Sequence, residues 1–436
     1  MQFVIVAMIL SVMSFEYLVF IGWVPQLLAY APEILAIAAS AAVVFAGVRS
    51  RFQYVRPIYW LIFGALGLVA ICGAVANLLE PGPLFAGIRT YLRALPFFFL
   101  PAVLAVKERQ LRVQLLVLLA LCALQLPLAW YQRITMPPGH LTGDRTFGTL
   151  MGSGILSLFL ICVACVLTGF YLRRRIPLWL YLTLLIVILL PTALNETKAT
   201  LVLLPIGLMV TFYAGSARGA RLKNMLLSVI VLAGFMAIFI PIFDHFITPR
   251  WGYGIVEFFT MEGRVERHFM RGTEMGDRAT AGRLDTIMAA LSELSKDPST
   301  LFFGFGIGNA SDSALGSQFV GAYFEKFSQF PTSTLAGLLL EFGVLGLGLV
   351  LLLHLLIFAD SLAVARQDHG LPGALAVGWT GTTAVIMLCF PYTELIAMPV
   401  TSFLYWYFSG LVVASRMRGV QSAVAPEPVR KLQAAT

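Results

Sequence analysis

The chain has 436 residues, 59% of them hydrophobic and only 12% charged, with a mean hydropathy of +0.86. About a quarter of the residues in a soluble domain are charged, so this composition excludes a soluble globular protein and implies a polytopic membrane protein. The formal net charge of +8 does not point to nucleic acid, because most Lys and Arg stand in short clusters beside apolar runs, which is a pattern of membrane topology.

In chain order, apolar runs long enough to span a bilayer fall at about 2–22, 27–48, 58–79, 84–106, 113–131, 149–171, 178–194, 199–215, 225–246, 333–359, 372–390 and 398–415. A transmembrane β-barrel needs alternating segments of roughly ten residues, so continuous runs of this kind predict an all-α fold with about twelve transmembrane helices. The organisation expected is a first transmembrane part over 1–246 (about nine helices), a long and largely helical loop over 247–332, a last transmembrane part over 333–415 (about three helices), and a disordered tail over 416–436. The first run lacks a basic leader and is long enough to span rather than be cleaved. All five cysteines lie inside apolar runs, which implies packed thiols and no disulfide framework or metal cluster.

Basic clusters recur in alternate connections: Arg49/Arg51/Arg56, Lys107/Arg109/Arg112, Arg173/Arg174/Arg175, Arg218/Arg221/Lys223 and the tail Arg416/Arg418/Arg430/Lys431. The positive-inside rule places these, and both termini, in the cytoplasm, and the long loop on the opposite side, the periplasm of a bacterium. Four cations break the pattern. Arg89, Arg93, Arg145 and Lys198 lie at the outer ends of expected spans, where a charge is costly unless paired or facing a wet cavity. Arg89 and Arg93, four apart, share a helical face.

Within the long loop, TAGRLDTIMAALSELSKDPST predicts a soluble amphipathic helix with Thr280 as its cap, Leu284, Ile287, Met288, Leu291 and Leu294 on one face, and Asp297-Pro298 at its end. Arg283 falls in the first turn, where a cation opposes the helix dipole unless an anion binds there. RVERHFMR, with Phe258, Phe259 and Phe269 nearby, fits an amphipathic stretch at the membrane interface. Gly304, Gly306 and Gly308 predict a tight turn near the membrane surface or a substrate. No strand–helix unit surrounds these glycines, which excludes a dinucleotide fingerprint. The span that follows carries Glu341 and then Gly343, Gly346 and Gly348, which allow close helix packing. The histidines, His140, His245, His268, His354 and His369, show no metal-ligand spacing, and His354 is expected to be a packing residue.

Arg89, Arg93, Arg145, Lys198, Arg278 and Arg283 thus form a set of outer cations with no matching carboxylates evident in the sequence. Such a set suits a diphosphate, because guanidinium presents a rigid fork to phosphate oxygens and stabilises charge on a leaving group. A lipid-linked diphosphate sugar would lay its tail among the helices and its head at this level.

Four stretches resemble the O-antigen ligase and Wzy-type polysaccharide polymerase superfamily of integral membrane glycosyltransferases. DRTFGTLMGSGILSLFL resembles the family's Arg-x-x-Gly start of a central span, and ETKATLVLLP its Ser-Arg-Gly-Ala stretch, with Lys198 where Arg is usual. AGRLDTI with LFFGFGIGN resembles the Gly-Arg helix start and Gly-x-Gly turn of the family's long loop. TSTLAGLLLEFGVLGL resembles the span that normally opens with His-Asn and continues to Glu-x-Gly. The resemblance covers about residues 140 to 350.

What it implies is a metal-independent transferase without cofactors that joins undecaprenyl-diphosphate-linked oligosaccharide units. Arg145, Lys198 and Arg283 would hold the leaving diphosphate. Arg89, Arg93, Arg278, Gly306, Thr332 and Glu341 would bind diphosphate or glycan, and Glu196, Asp285 or Glu341 would be the candidate base. Thr332 and Ser333 replace the usual His-Asn, which favours a polymerase over a lipid A ligase. A ligase-type transferase and a lipid-linked sugar transporter remain the alternatives. Membrane lipids and a chain-length regulator protein are the further partners expected.

Overall fold

A computed structural model describes residues 2–50, 52–136, 143–217, 219, 221–269, 274–275, 278–279, 282–313, 315–328, 330 and 333–424. The chain runs through α1 (Gln2–Phe20), α2 (Ala31–Ser50), α3 (Pro57–Ala76), α4 (Pro81–Leu92), α5 (Leu95–Val103), α6 (Glu108–Ile134), α7 (Ser153–Leu172), α8 (Leu178–Leu194), α9 (Thr200–Gly215) and α10 (Arg221–Trp251). After α10 come the short helices α11 (Ile255–Thr260) and α12 (Arg264–Phe269), then a two-stranded antiparallel ladder, β1 (Glu274–Met275) and β2 (Arg278–Ala279). The chain continues as α13 (Arg283–Leu294), α14 (Pro298–Phe303), α15 (Phe324–Phe327), α16 (Thr334–Gln367), α17 (Leu371–Cys389) and α18 (Pro399–Val424).

The protein is an all-helical, multi-pass membrane protein. Among the described residues eight helices are each long and apolar enough to cross a bilayer, namely α1, α2, α3, α6, α7, α10, α16 and α17. Not every expected span is one continuous helix. The apolar helices α8 and α9 have 17 and 16 residues. The run at 84–106 breaks at Arg93–Ala94 into α4 and α5, with a proline in the first turn of α5, where its missing N–H costs least.

The centre of the bundle is α7 against α17, the most deeply buried of the spanning helices. They can approach so closely because Gly169 and Gly378 face one another: a Cβ on Gly169 would come within 2.6 Å of the Gly378 nitrogen. In a membrane, where lipid is as apolar as Leu, such small-residue contacts supply the packing that holds helices together.

Helix α16 carries a break of its own. Gly343 has φ +65° inside the helix, and the turn after α14 fills the notch, with the Phe305 N–H donating to the Leu340 carbonyl at 2.7 Å. Gly343 is therefore a kink that receives the turn rather than a flat packing surface, and a Cβ on Gly348 would meet nothing within 4 Å.

The expected turn is real and is sunk into the bundle, with Gly304, Gly306 and Gly308 all at positive φ. A Cβ on Gly308 would stand 2.1 Å from the Pro83 carbonyl oxygen. Gly308→Ala should therefore lose at least the roughly 1–3 kcal/mol of left-handed backbone strain, with the clash added. Thermal unfolding of the purified protein in detergent measures it, and a melting temperature equal to wild type would contradict this packing.

The soluble helix starts at Arg283, behind Gly282, and ends by Leu294. Asp297 and Pro298 open α14 instead of closing α13, the Asp297 carboxylate accepting the Thr300 N–H at 3.2 Å. Ala290 and Leu294 pack with Phe305, Phe327, Leu339 and Leu340, docking the segment onto the first turns of α16. Leu284 and Met288 stay exposed. Thr280 lies outside the described residues.

At the C-terminal end of α16, the fully buried Asp360 pairs with Arg56 and Arg416 and accepts the Tyr59 hydroxyl at 2.9 Å. Arg418 donates to the Pro101 carbonyl at 2.5 Å and Arg173 to that of Ala365. Members of the sequence's basic clusters thus gather at one end of the bundle. His354 packs as expected, stacked on Tyr405 with 5.1 Å between ring centroids.

Candidate functional site

The opposite end of α16 is organised by the connection 390–398 between α17 and α18, a stretch that hydropathy treats as a mere link. It is pinned to the first turn of α16: the Thr334 N–H and hydroxyl both donate to the Thr393 carbonyl, at 3.1 and 3.0 Å. The same hydroxyl accepts the Leu395 N–H at 2.8 Å, and the Leu335 N–H reaches Phe390 O at 2.9 Å.

Two of the predicted cations hold this connection, at Tyr392 and at Ala397. Arg283 donates from Nε to the Tyr392 carbonyl at 2.7 Å and lies 4.3 Å from the centre of the Tyr392 ring. Arg93 donates to the Ala397 carbonyl.

Around Arg283 a cationic cluster forms from segments far apart in sequence. Lys198, in the bend between α8 and α9, sits 4.4 Å above the Phe258 ring of α11. It is close enough to Asp144 and Arg264 to feel both charges, and Asp144 is also felt by Tyr392 beside Arg283. Burial pushes the Lys198 ammonium below its ordinary range and Arg264 pushes the same way, while Glu196 and Asp144 oppose them. A bound anion would restore the charged form. Arg145 follows Asp144 in a short 3-10 turn, is exposed, and makes no ion pair with any described residue. Lys198, Arg283 and the Asp144–Arg145 turn therefore lie in one region. Phe258 is buried beneath Lys198 and not spread on lipid.

Several predicted site residues turn out otherwise. Arg89 and Arg93 have a matching carboxylate, contrary to the reading of unpaired cations. Glu33 of α2 accepts from Arg89 at 2.7 and 2.5 Å and from Arg93 at 2.8 Å. The pairing escaped the sequence because it joins residues 56 and 60 positions apart.

Glu341 is fully buried and presents no free face to a glycan. One oxygen accepts the Gly308 N–H at 2.8 Å and the other the Ser311 hydroxyl at 2.5 Å, so it clasps the glycine turn. Gly306 is packed 3.2–3.3 Å (measured from a Cβ built on it) from Gly73 and Ala74 of α3, a structural position.

Glu196, at φ +59°, pairs with the buried Arg133 at 2.6 Å. Asp285 accepts the Gly282 N–H at 2.9 Å and caps α13. Neither is arranged as a base. Arg278 lies on β2 opposite Met275, and its side chain, like Thr332 and His140, falls outside what the structure describes. The described residues hold no group of three or more His, Cys, Asp or Glu able to bind a metal.

Sequence reading missed Glu33, Arg133, Asp144, Arg264, Tyr392 and Glu394. Glu33 and Glu394 had a visible signal, each being the single acid in an otherwise apolar stretch. Beside the site an apolar cavity of about 580 Å³ descends from Tyr91, Leu395 and Ile396 to His354 and Trp406.

The chain matches no protein-family model, and no curated protein aligns with it significantly.

Proposed function

We propose that the chain is a bacterial polysaccharide polymerase. On this reading it joins oligosaccharide units carried on undecaprenyl diphosphate, at the periplasmic face of the inner membrane, without metal or nucleotide. The observation that carries the reading is the convergence of Lys198, Arg264, Arg283 and the Asp144–Arg145 turn on one region, at the end of α16 opposite the Asp360 cluster of basic residues. Among the residues described there, Lys198, Arg145, Arg264 and Arg283 outnumber the acids Asp144 and Glu196, an excess of cations suited to a diphosphate, which a guanidinium or ammonium stabilises as it departs. The neighbouring apolar cavity, about 580 Å³ in volume, has the character required for a lipid tail. With the basic clusters cytoplasmic, the site faces outward.

The chemistry is a displacement at the anomeric carbon: an acceptor hydroxyl attacks, the C–O bond to phosphate breaks, and the lipid diphosphate leaves with the electron pair.

The test uses purified protein in nanodiscs, with the lipid-linked oligosaccharide that accumulates in cells lacking it. Longer lipid-linked products with release of polyprenyl diphosphate are expected, and Arg145→Ala should slow their formation by about tenfold or more, in line with loss of a charged contact worth about 1.5–3 kcal/mol. Movement of the intact oligosaccharide across the bilayer without any new glycosidic bond would overturn the reading in favour of a transporter.

A further inference from the structure

We infer that the gap bounded by Gly337, Tyr91 and Glu394 is the acceptor site of the proposed transferase, where a sugar hydroxyl gives up its proton to the Glu394 carboxylate. The inference rests on the transferase reading and supplies the base that the sequence could not identify.

The geometry is specific. Glu394 spends one oxygen, Oε1, on its own backbone, accepting the Ile396 N–H at 2.8 Å and the Ala397 N–H at 3.2 Å. Oε2 turns the other way, toward α16. A Cβ placed on Gly337 would be 3.7 Å from this oxygen and 3.8 Å from the Tyr91 hydroxyl, with nothing nearer. Glycine at 337 therefore leaves a hydroxyl-sized space between a carboxylate oxygen and the oxygen of a phenol whose own O–H is turned to Glu341, so a sugar hydroxyl there would donate to the Glu394 carboxylate. Gly337 and Glu394 each keep part of their surface exposed.

The carboxylate is also held firmly. Its connection is tied to α16 through Thr334, to Arg283 at Tyr392 and to Arg93 at Ala397. The first of those cations belongs to the diphosphate cluster, so base and leaving-group site are two residues apart on one rigid segment. Reactions between groups held in place this way gain most from positioning.

Elimination points the same way. Glu341 has both oxygens engaged, Glu196 is paired with Arg133, and Asp285 caps a helix. Burial pushes the Glu394 carboxyl above its ordinary range, partly opposed by the backbone N–H groups, and a carboxylate so raised accepts a proton more readily near neutral pH. The charged and titratable groups around it are Tyr91 and Arg93 from α4 and its end, Glu341 from α16, and Glu33 and Glu16 beyond Arg93.

In the step proposed, the acceptor O–H breaks with its proton passing to Oε2. The new C–O bond forms at the anomeric carbon as the old one breaks, and the electron pair leaves on the diphosphate.

The experiment repeats the nanodisc assay with Glu394→Gln, which keeps the backbone contacts of Oε1. The expected result is a fall in kcat of about 10²- to 10⁴-fold with the donor KM little changed, the acidic limb of the pH profile gone, and partial recovery in Glu394→Asp. Gly337→Leu, which fills the gap from the opposite wall, is expected to raise the acceptor KM. Wild-type protein that elongates while Glu394→Gln stays within threefold of it overturns this inference alone. Wild-type protein that forms no glycosidic bond overturns the transferase reading with it. Should Glu394→Gln fail to fold, unaltered kinetics in Gly337→Leu overturn the acceptor site.

Discussion

Replacing Arg283 with Ala should leave a folded protein that has lost about 10²- to 10³-fold in kcat, the scale seen when one preorganised donor to a developing negative charge is removed. Arg283 opens α13 and is fastened by its Nε to the Tyr392 carbonyl, which sets the direction of its guanidinium before any substrate arrives. Such a donor acts on the leaving diphosphate more than on the neutral acceptor sugar, so kcat should fall further than acceptor affinity.

The two described contacts of the side chain with Tyr392, one hydrogen bond and one ring contact, are each worth about 1 kcal/mol. Arg283→Lys keeps the charge and loses the fork, so it should fall between wild type and Ala. The measurement is polymer length in cells and turnover in nanodiscs. Wild-type chain lengths from Arg283→Ala would remove Arg283 from the site and weaken the cluster argument.

Asp360→Ala should be strongly destabilising, at about 3 kcal/mol, the low end for a broken buried pair because the two arginines left without their counter-charge are partly exposed. The Asp360 carboxylate is completely inaccessible, while the two arginine side chains it holds keep 28% of their surface. It is the single acceptor shared by Arg56 from the start of α3, Arg416 from α18 and the hydroxyl of buried Tyr59.

Removing the carboxylate therefore disconnects three helices at once. Removing Arg416 disconnects α18 alone, and removing Arg56 leaves α3 still held by Tyr59; the carboxylate stays paired in both, so Arg56→Ala and Arg416→Ala should each cost clearly less than Asp360→Ala. The ordering can be read from thermal unfolding in detergent of the four proteins side by side. Equal melting temperatures for Asp360→Ala and wild type would mean that this end of the bundle is held by packing alone.

The glycine turn shows how far local sequence reaches. Alternating glycines announced a tight turn, and Gly304, Gly306 and Gly308 do adopt the left-handed backbone that only glycine enters freely. What the turn is for was not legible. It fills the break in α16 at Gly343 and is clasped by Glu341, so residues that looked like ligands to a glycan are structural. Likewise α13 was visible from its apolar face, but its first residue being fastened to the link between α17 and α18 was not.

Composition and the continuity of the apolar runs determined by themselves that this is an all-helical membrane protein. In hydrocarbon every backbone polar group must be satisfied within its own segment, so hydropathy and secondary structure become one signal. The sequence also marked Lys198, Arg283 and the Arg145 turn, because a cation outside the basic clusters is conspicuous in an apolar chain.

Only the tertiary structure decided which charges were neutralised and which faced a shared space. Glu33 is shared by Arg89 and Arg93 across about 60 residues, Asp360 is shared by arginines from opposite ends of the chain, and Glu394 meets Gly337 and Tyr91 across α16 and α4. Pairing energy depends on a separation of a few ångströms in space, and separation along the chain carries no information about it once helices pack side by side.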